Sequence, residues 1–131
     1  MAHAVSTFLM FSGAAEEAVN LYVSLFKGSR VTHIERYSSG EEGAEGAVKK
    51  AVFEVSGHKL IAFDSPVKHD FTFTPSISIF VDCDSEAELD EAFKRLAEGG
   101  EILMPLDDYG FSKEFGWLND RFGVSWQLSL E

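Results

Sequence analysis

The sequence is poor in basic residues, cysteine and proline, and each shortage excludes something. Eleven Lys and Arg face 22 Asp and Glu, leaving a net charge of −11 over 131 residues. No basic cluster is longer than Lys49-Lys50, so neither a nucleic-acid backbone nor an anionic membrane surface is an expected partner. A single cysteine, Cys83, rules out an internal disulfide and a thiolate-rich metal site. No apolar run approaches the roughly 20 residues that cross a bilayer. The stretch Met1 to Thr7 lacks a charged and then apolar leader, so no secretory signal is expected and a reducing cytoplasm is the default compartment. What remains is a chain that is 45% apolar and 25% charged, the composition of one globular domain able to bury about two-thirds of its unfolded surface.

The apolar periodicity divides that chain into elements. Ser6 to Phe11 reads as a short buried strand, broken by Ser12-Gly13. Ala15, Ala18, Val19, Tyr22, Leu25 and Phe26 then recur at helical spacing and Gly28 stops the helix. Arg30 to Tyr37 is rich in β-formers. Ser38 to Gly46 is too polar and glycine-rich to pack and predicts a mobile acidic loop. Val48 to Val55 and Lys59 to Asp64 alternate around Gly57-His58 as a hairpin. Ser65 to Pro75 is a connector. Beyond it come a strand over Ser76 to Asp82, a helix opened by the capping box Ser85-x-x-Glu88 and stopped by Gly99-Gly100, and a strand over Glu101 to Pro105. A hairpin of Phe115 to Leu118 and Val124 to Leu130 closes the order.

The order strand-helix-strand-strand-strand therefore occurs twice. Ala18, Tyr22, Leu25, Gly28 and Val31 map onto Leu89, Phe93, Leu96, Gly99 and Ile102 at a constant offset. This predicts an α+β fold of two tandem βαβββ modules with about eight strands, forming a curved, cup-like mixed sheet whose concave side is free to hold something. The expected organisation is one domain over 1–131, with module one at about 4–65, a connector at 66–75 and module two at about 76–131.

Three stretches resemble a known family. They are Phe8-Leu9-Met10-Phe11-Ser12-Gly13-Ala14-Ala15-Glu16-Glu17-Ala18 with Leu21-Tyr22, then Phe73 to Val81, and most specifically Phe115-Gly116-Trp117-Leu118-Asn119-Asp120-Arg121-Phe122-Gly123-Val124-Ser125-Trp126-Gln127. Together they make nearly the whole chain similar to the PhnB-like group of the vicinal oxygen chelate (VOC) superfamily, which includes glyoxalase I, bleomycin-resistance proteins and extradiol dioxygenases. The group is also labelled demethylubiquinone methyltransferase-like. Yet no glycine-rich loop follows a strand to cradle S-adenosylmethionine, and no doubly wound α/β pattern is present.

The resemblance implies a homodimer and, in metal-dependent members, four ligands supplied by the first and last strand of each module. Carried over by position these fall at Thr7, Ile61, Ser76 and Gln127. Thr7 and Ser76 are weak neutral donors, Ile61 is none, and Gln127 is a poor one. No metal and no cofactor is therefore expected.

Strand alternation, with the more polar set of each strand assigned to the interior, gives a cup lined by Thr7, Leu9, Phe11, Ile61, Phe63, Ser76, Ser78, Phe80, Ser125 and Gln127, and His69 and Trp117 join them as expected ligand-binding residues. Such a lining suits a small apolar or aromatic ligand. A packed core or a dimer seam would use the same residues. His69 beside Asp70 reads either as a general base or as a surface histidine. Asp107 to Phe111 reads as a rim loop whose carboxylates are solvated, and Tyr109, Phe111, Phe115 and Trp117 as an aromatic stretch able to stack on a ligand or to fill a core. Cys83 sits between two aspartates and is no nucleophile. Three functions remain open: a metal-free binding protein, a metal-dependent lyase, isomerase or dioxygenase with atypical ligands such as Gln127 and His69, and a structural dimer with a vestigial pocket.

Overall fold

A computed structural model describes residues 2–131; Met1, part of the expected 1–131 domain, lies outside the described residues. The chain forms two compact units, the first ending at Asp70 and the second spanning Phe71–Glu131. Each is a βαβββ module.

In the first unit, β1 (Thr7–Phe11), β2 (Arg30–Arg36), β3 (Val48–Val55) and β4 (His58–Asp64) form a sheet in the order β1-β4-β3-β2. β1 runs parallel to β4 and the other pairs are antiparallel. Helix α1 (Ala15–Leu25) covers one face, with Tyr22 stacked on Phe53 at 6.4 Å. Its N-terminus has no side-chain cap from Ala14. The buried carboxylate of Asp64, at the end of β4, replaces it: one oxygen accepts from Gly13 and Ala15 N–H at 2.8 and 3.0 Å, and the other from Val48 N–H at 3.0 Å. The free N–H at the start of the helix, that of Ala15, is thus satisfied by a strand distant in sequence.

In the second unit, β5 (Ile79–Asp82), β6 (Glu101–Asp107), β7 (Glu114–Asn119) and β8 (Ser125–Leu130) form a sheet in the order β5-β8-β7-β6, with β5 parallel to β8. Helix α2 (Glu86–Ala97) buries Leu89, Ala92, Phe93 and Leu96, the stripe its periodicity gives. Ser85 Oγ accepts from Glu88 N–H as the capping box requires, while the Glu88 carboxylate reaches one residue further back, to Asp84 N–H. Gly116 lets the helix approach, because a Cβ there would collide with the Phe93 ring. The β7–β8 turn is tied by buried Asp120, whose carboxylate accepts from Phe122 and Val124 N–H and from the Trp126 indole.

Two expectations change. β5 begins at Ile79 instead of Ser76, because Pro75-Ser76 forms a turn closed from Ile77 N–H to Thr74 C=O, with Thr74 Oγ1 near Ser76 N–H. The acidic loop 38–46 is organised: Tyr37 is buried, Gly46 N–H bonds the Tyr37 carbonyl, Gly43 packs against its ring, and its hydroxyl donates to the Asp64 carbonyl.

Candidate functional site

Register decides which side chains share a face, because partners opposite one another in a sheet project to the same side. In the first sheet Thr7, Leu9 and Phe11 lie beside Leu60, Ala62 and Asp64, on the side of α1. Leu9 and Phe11 are buried there, and Thr7 Oγ1 is 2.9 Å from His58 Nε2. Ile61 and Phe63 project from the opposite face, beside Phe8 and Met10. The expected first-module lining therefore divides between two faces. On the face away from α1 the group is wholly apolar, with Phe8 59% exposed and its ring 5.2 Å from that of Phe63.

In the second unit the corresponding expectation gathers into one cluster. Gly116, Leu118, Trp126 and Leu128 face α2, so Phe80, Trp117, Ser125 and Gln127 face the other way. Phe80, Gln127 and Trp117 stand side by side across β5, β8 and β7. Ser78, just before β5, brings its hydroxyl 2.6 Å from that of Ser125. The Trp117 indole donates to Ser125 Oγ at 2.9 Å, and the Gln127 carboxamide donates to Ser78 Oγ at 3.0 Å. Ser125 is buried, Ser78, Trp117 and Gln127 are half-buried, and Phe80 is exposed. Phe115 adjoins Phe80 at 6.3 Å and is packed edge-on by Tyr109 and Phe111 at 6.0 and 4.9 Å. The rim-loop carboxylates turn onto their own backbone: Asp107 accepts from Asp108 N–H, and Asp108 from Gly110 N–H. Ser76 lies exposed in the turn before the strand and bonds Thr74. His69 is exposed at the end of the first unit, 3.3 Å from Ser65 Oγ.

On the opposite side of the second sheet stands a group the sequence reading missed. Carboxylate oxygens of Glu86 and Asp90, on α2, and Glu114, at the start of β7, lie within 4.8 Å of one another. Burial, then the hydrogen bond with Asp90 and the negative charges of Asp90 and Glu86, push the Glu114 carboxyl up to about 7. Glu86 and Asp90 stand at i, i+4 on one helix face, which the sequence could show, but the approach of Glu114 depends on tertiary packing. The Cys83 thiol is pushed up to about 12, by burial first and then by Glu88, Asp82 and Asp84, which removes it as a nucleophile.

Metal-dependent members of the superfamily that the sequence resembles hold an ion between first- and last-strand side chains, and the donors here can be judged against one. First- and last-strand side chains facing away from the helices are Phe8, Met10, Lys59, Ile61 and Phe63 in one unit and Phe80, Asp82, Ser125, Gln127 and Ser129 in the other. They include no imidazole and a single carboxylate, a poor set for a divalent transition metal.

Comparison with known proteins agrees with this architecture. A family model described as 3-demethylubiquinone-9 3-methyltransferase matches residues 3–129. No curated protein matches. Among solved structures, a PhnB protein from Bacillus cereus is 52% identical with a TM-score of 0.95, over 98% of this chain and 100% of that one. Protein PA1353 from Pseudomonas aeruginosa is 29% identical with a TM-score of 0.85, over 99% and 98%. The fosfomycin resistance protein FosX from Listeria monocytogenes, solved with Mn(II) and 1S,2S-dihydroxypropylphosphonic acid, is 13% identical with a TM-score of 0.60 over 98% and 93%, a likeness of fold alone. No helix among the described residues is long and apolar enough to cross a membrane.

Proposed function

The chain belongs to the PhnB-like, 3-demethylubiquinone-9 3-methyltransferase family of the VOC superfamily, and on that premise we propose that it is a metal-free binding protein for a small apolar or aromatic molecule. The single observation that carries this reading is the cluster on the face away from α2. Hydroxyls and a carboxamide are held in fixed directions by Ser78, Ser125 and Gln127, with aromatic rings on both sides. A few oriented polar groups amid apolar surface is the arrangement small-molecule sites use. The proposed organisation is a single domain, from length and composition, in a reducing cytoplasm, from cysteine usage, acting as a homodimer by family likeness.

The competing reading, a metal-dependent enzyme with atypical ligands, has one observation in its favour: the Glu86, Asp90 and Glu114 carboxylates. These stand on the α2 side of the sheet, and the pairing of Glu114 with Asp90 is of the proton-sharing kind. A thermal-shift panel of uncharged aromatic compounds, run beside Zn(II), Ni(II) and Mn(II), separates the two. A saturable rise in Tm with a carbonyl-bearing ring compound, reduced in Gln127→Leu, supports binding, since a ligand of the native state alone must stabilise it. A rise with metal only, or with nothing, overturns it.

A further inference from the structure

Hydrogen-bond direction inside the cluster defines which groups it leaves for a ligand. Ser125 is 1% exposed, so its hydroxyl proton needs an acceptor, and the Ser78 oxygen at 2.6 Å is the one in reach. Ser125 in turn accepts from the Trp117 indole. Protons therefore run from Trp117 to Ser125 to Ser78. The Gln127 carboxamide donates to the same Ser78 oxygen, so both lone pairs of that oxygen are engaged. Three groups remain for an outside partner: the Ser78 proton, the second N–H of Gln127 and the Gln127 carbonyl oxygen.

We propose that this corner reads an uncharged amide edge, a ring lactam or primary carboxamide, on an aromatic ligand. The inference rests on the binding function proposed above and specifies its ligand class. A cis amide edge places a carbonyl oxygen next to an N–H. The oxygen accepts from Ser78 and Gln127, and the N–H donates to the Gln127 carbonyl. A carboxylate fails on two counts. It has no donor for Gln127, and the four strands of this unit contain no Lys, Arg or His while bearing Asp82, Glu101, Asp107 and Glu114. A negative charge would be desolvated here with no counter-charge. The aryl body packs on Phe80 and Trp117, which flank Gln127 in register on either side.

Three matched bicyclic probes test this by calorimetric titration of the full chain: isoindolin-1-one (acceptor and donor), 1-indanone (acceptor only) and indane (neither), with benzoate as the charged control. The expected order is isoindolin-1-one, 1-indanone, indane, about tenfold for the one hydrogen bond lost in the first step and more than that for the two lost in the second, with benzoate weakest. Ser78→Ala should weaken both carbonyl compounds and leave indane unchanged. Gln127→Leu should erase the difference between lactam and ketone. If the three neutral rings bind equally, amide recognition is refuted while the binding function stands. A ketone as tight as the lactam also refutes it. Failure of every ring to bind overturns both the inference and the function it rests on.

Discussion

Replacing Asp64 by alanine tests the packing of the first unit at its most connected point. The carboxylate accepts three backbone N–H bonds at 2.8 to 3.0 Å, from Gly13, Ala15 and Val48. Two of these contacts are buried, so alanine leaves Ala15 and Val48 N–H groups without an acceptor away from water. Each such orphaned donor costs about 1–3 kcal/mol. The third, from Gly13, is part-buried and can turn to solvent. Release of a buried charge offsets part of the loss, so the net expected cost is about 3 kcal/mol. That is a large share of the roughly 5–15 kcal/mol by which domains are stable. Asp64→Asn keeps one oxygen but turns an NH2 donor toward one of the N–H groups it served, and should fall between alanine and wild type. Ser85→Ala, which removes an ordinary cap from α2, supplies the scale at about 1 kcal/mol. Equilibrium urea unfolding reads all three. The Asp64→Ala midpoint should fall by roughly 1–3 M, several times the Ser85→Ala shift. If the two alanine variants lose the same amount, Asp64 is not the cap of α1 and the tie between β4, β3 and the helix is misread.

Gly116→Ala places a methyl group into the Phe93 ring and near Leu106, and should destabilise by about 1–3 kcal/mol in the same assay; a neutral result would show that α2 is not seated on β7 as described. Glu114 holds its proton in the folded chain up to about pH 7, whereas the unfolded chain gives it up near the ordinary 4.5. Between those values the folded state binds more protons, so its contribution to stability falls as pH rises. Glu114→Gln should flatten the decline of Tm between pH 5 and 8, and parallel curves for the two proteins would contradict the assignment. With its thiol pushed up to about 12, native Cys83 should resist a thiol-specific disulfide reagent at pH 8 and react fully in urea. Rapid labelling of the native chain would refute its burial.

Much of the fold was legible because its signals are local. Periodicity placed both helices, and the capping box located the start of α2. The repeat predicted two equal modules. The site was legible only where polarity and burial pointed the same way. In β8 the alternation of Ser125 and Gln127 with Trp126 and Leu128 separates a polar face from an apolar one. In β1 both sets are apolar, so Phe8 and Met10 could not be told from Leu9 and Phe11; only the register with β4 distinguishes them. Two of the four positions carried over for a metal, Thr7 and Ser76, do not stand beside their last-strand counterparts. Beside Ile61 stands Phe8, not Thr7, and beside Gln127 stands Phe80, not Ser76. The Glu86–Asp90–Glu114 group and the Asp64 cap arise from contacts between distant segments, for which no short-range pattern exists.

The most direct test of the central claim is a chemical-shift map of the 15N-labelled protein titrated with 1-indanone. The account predicts saturable shifts at the amides of Ser78, Phe80, Ser125 and Gln127 and at the Trp117 indole N–H, with Glu86 and Asp90 unmoved. Shifts confined to the α2 side, or no shift at any concentration of the probe, would contradict it.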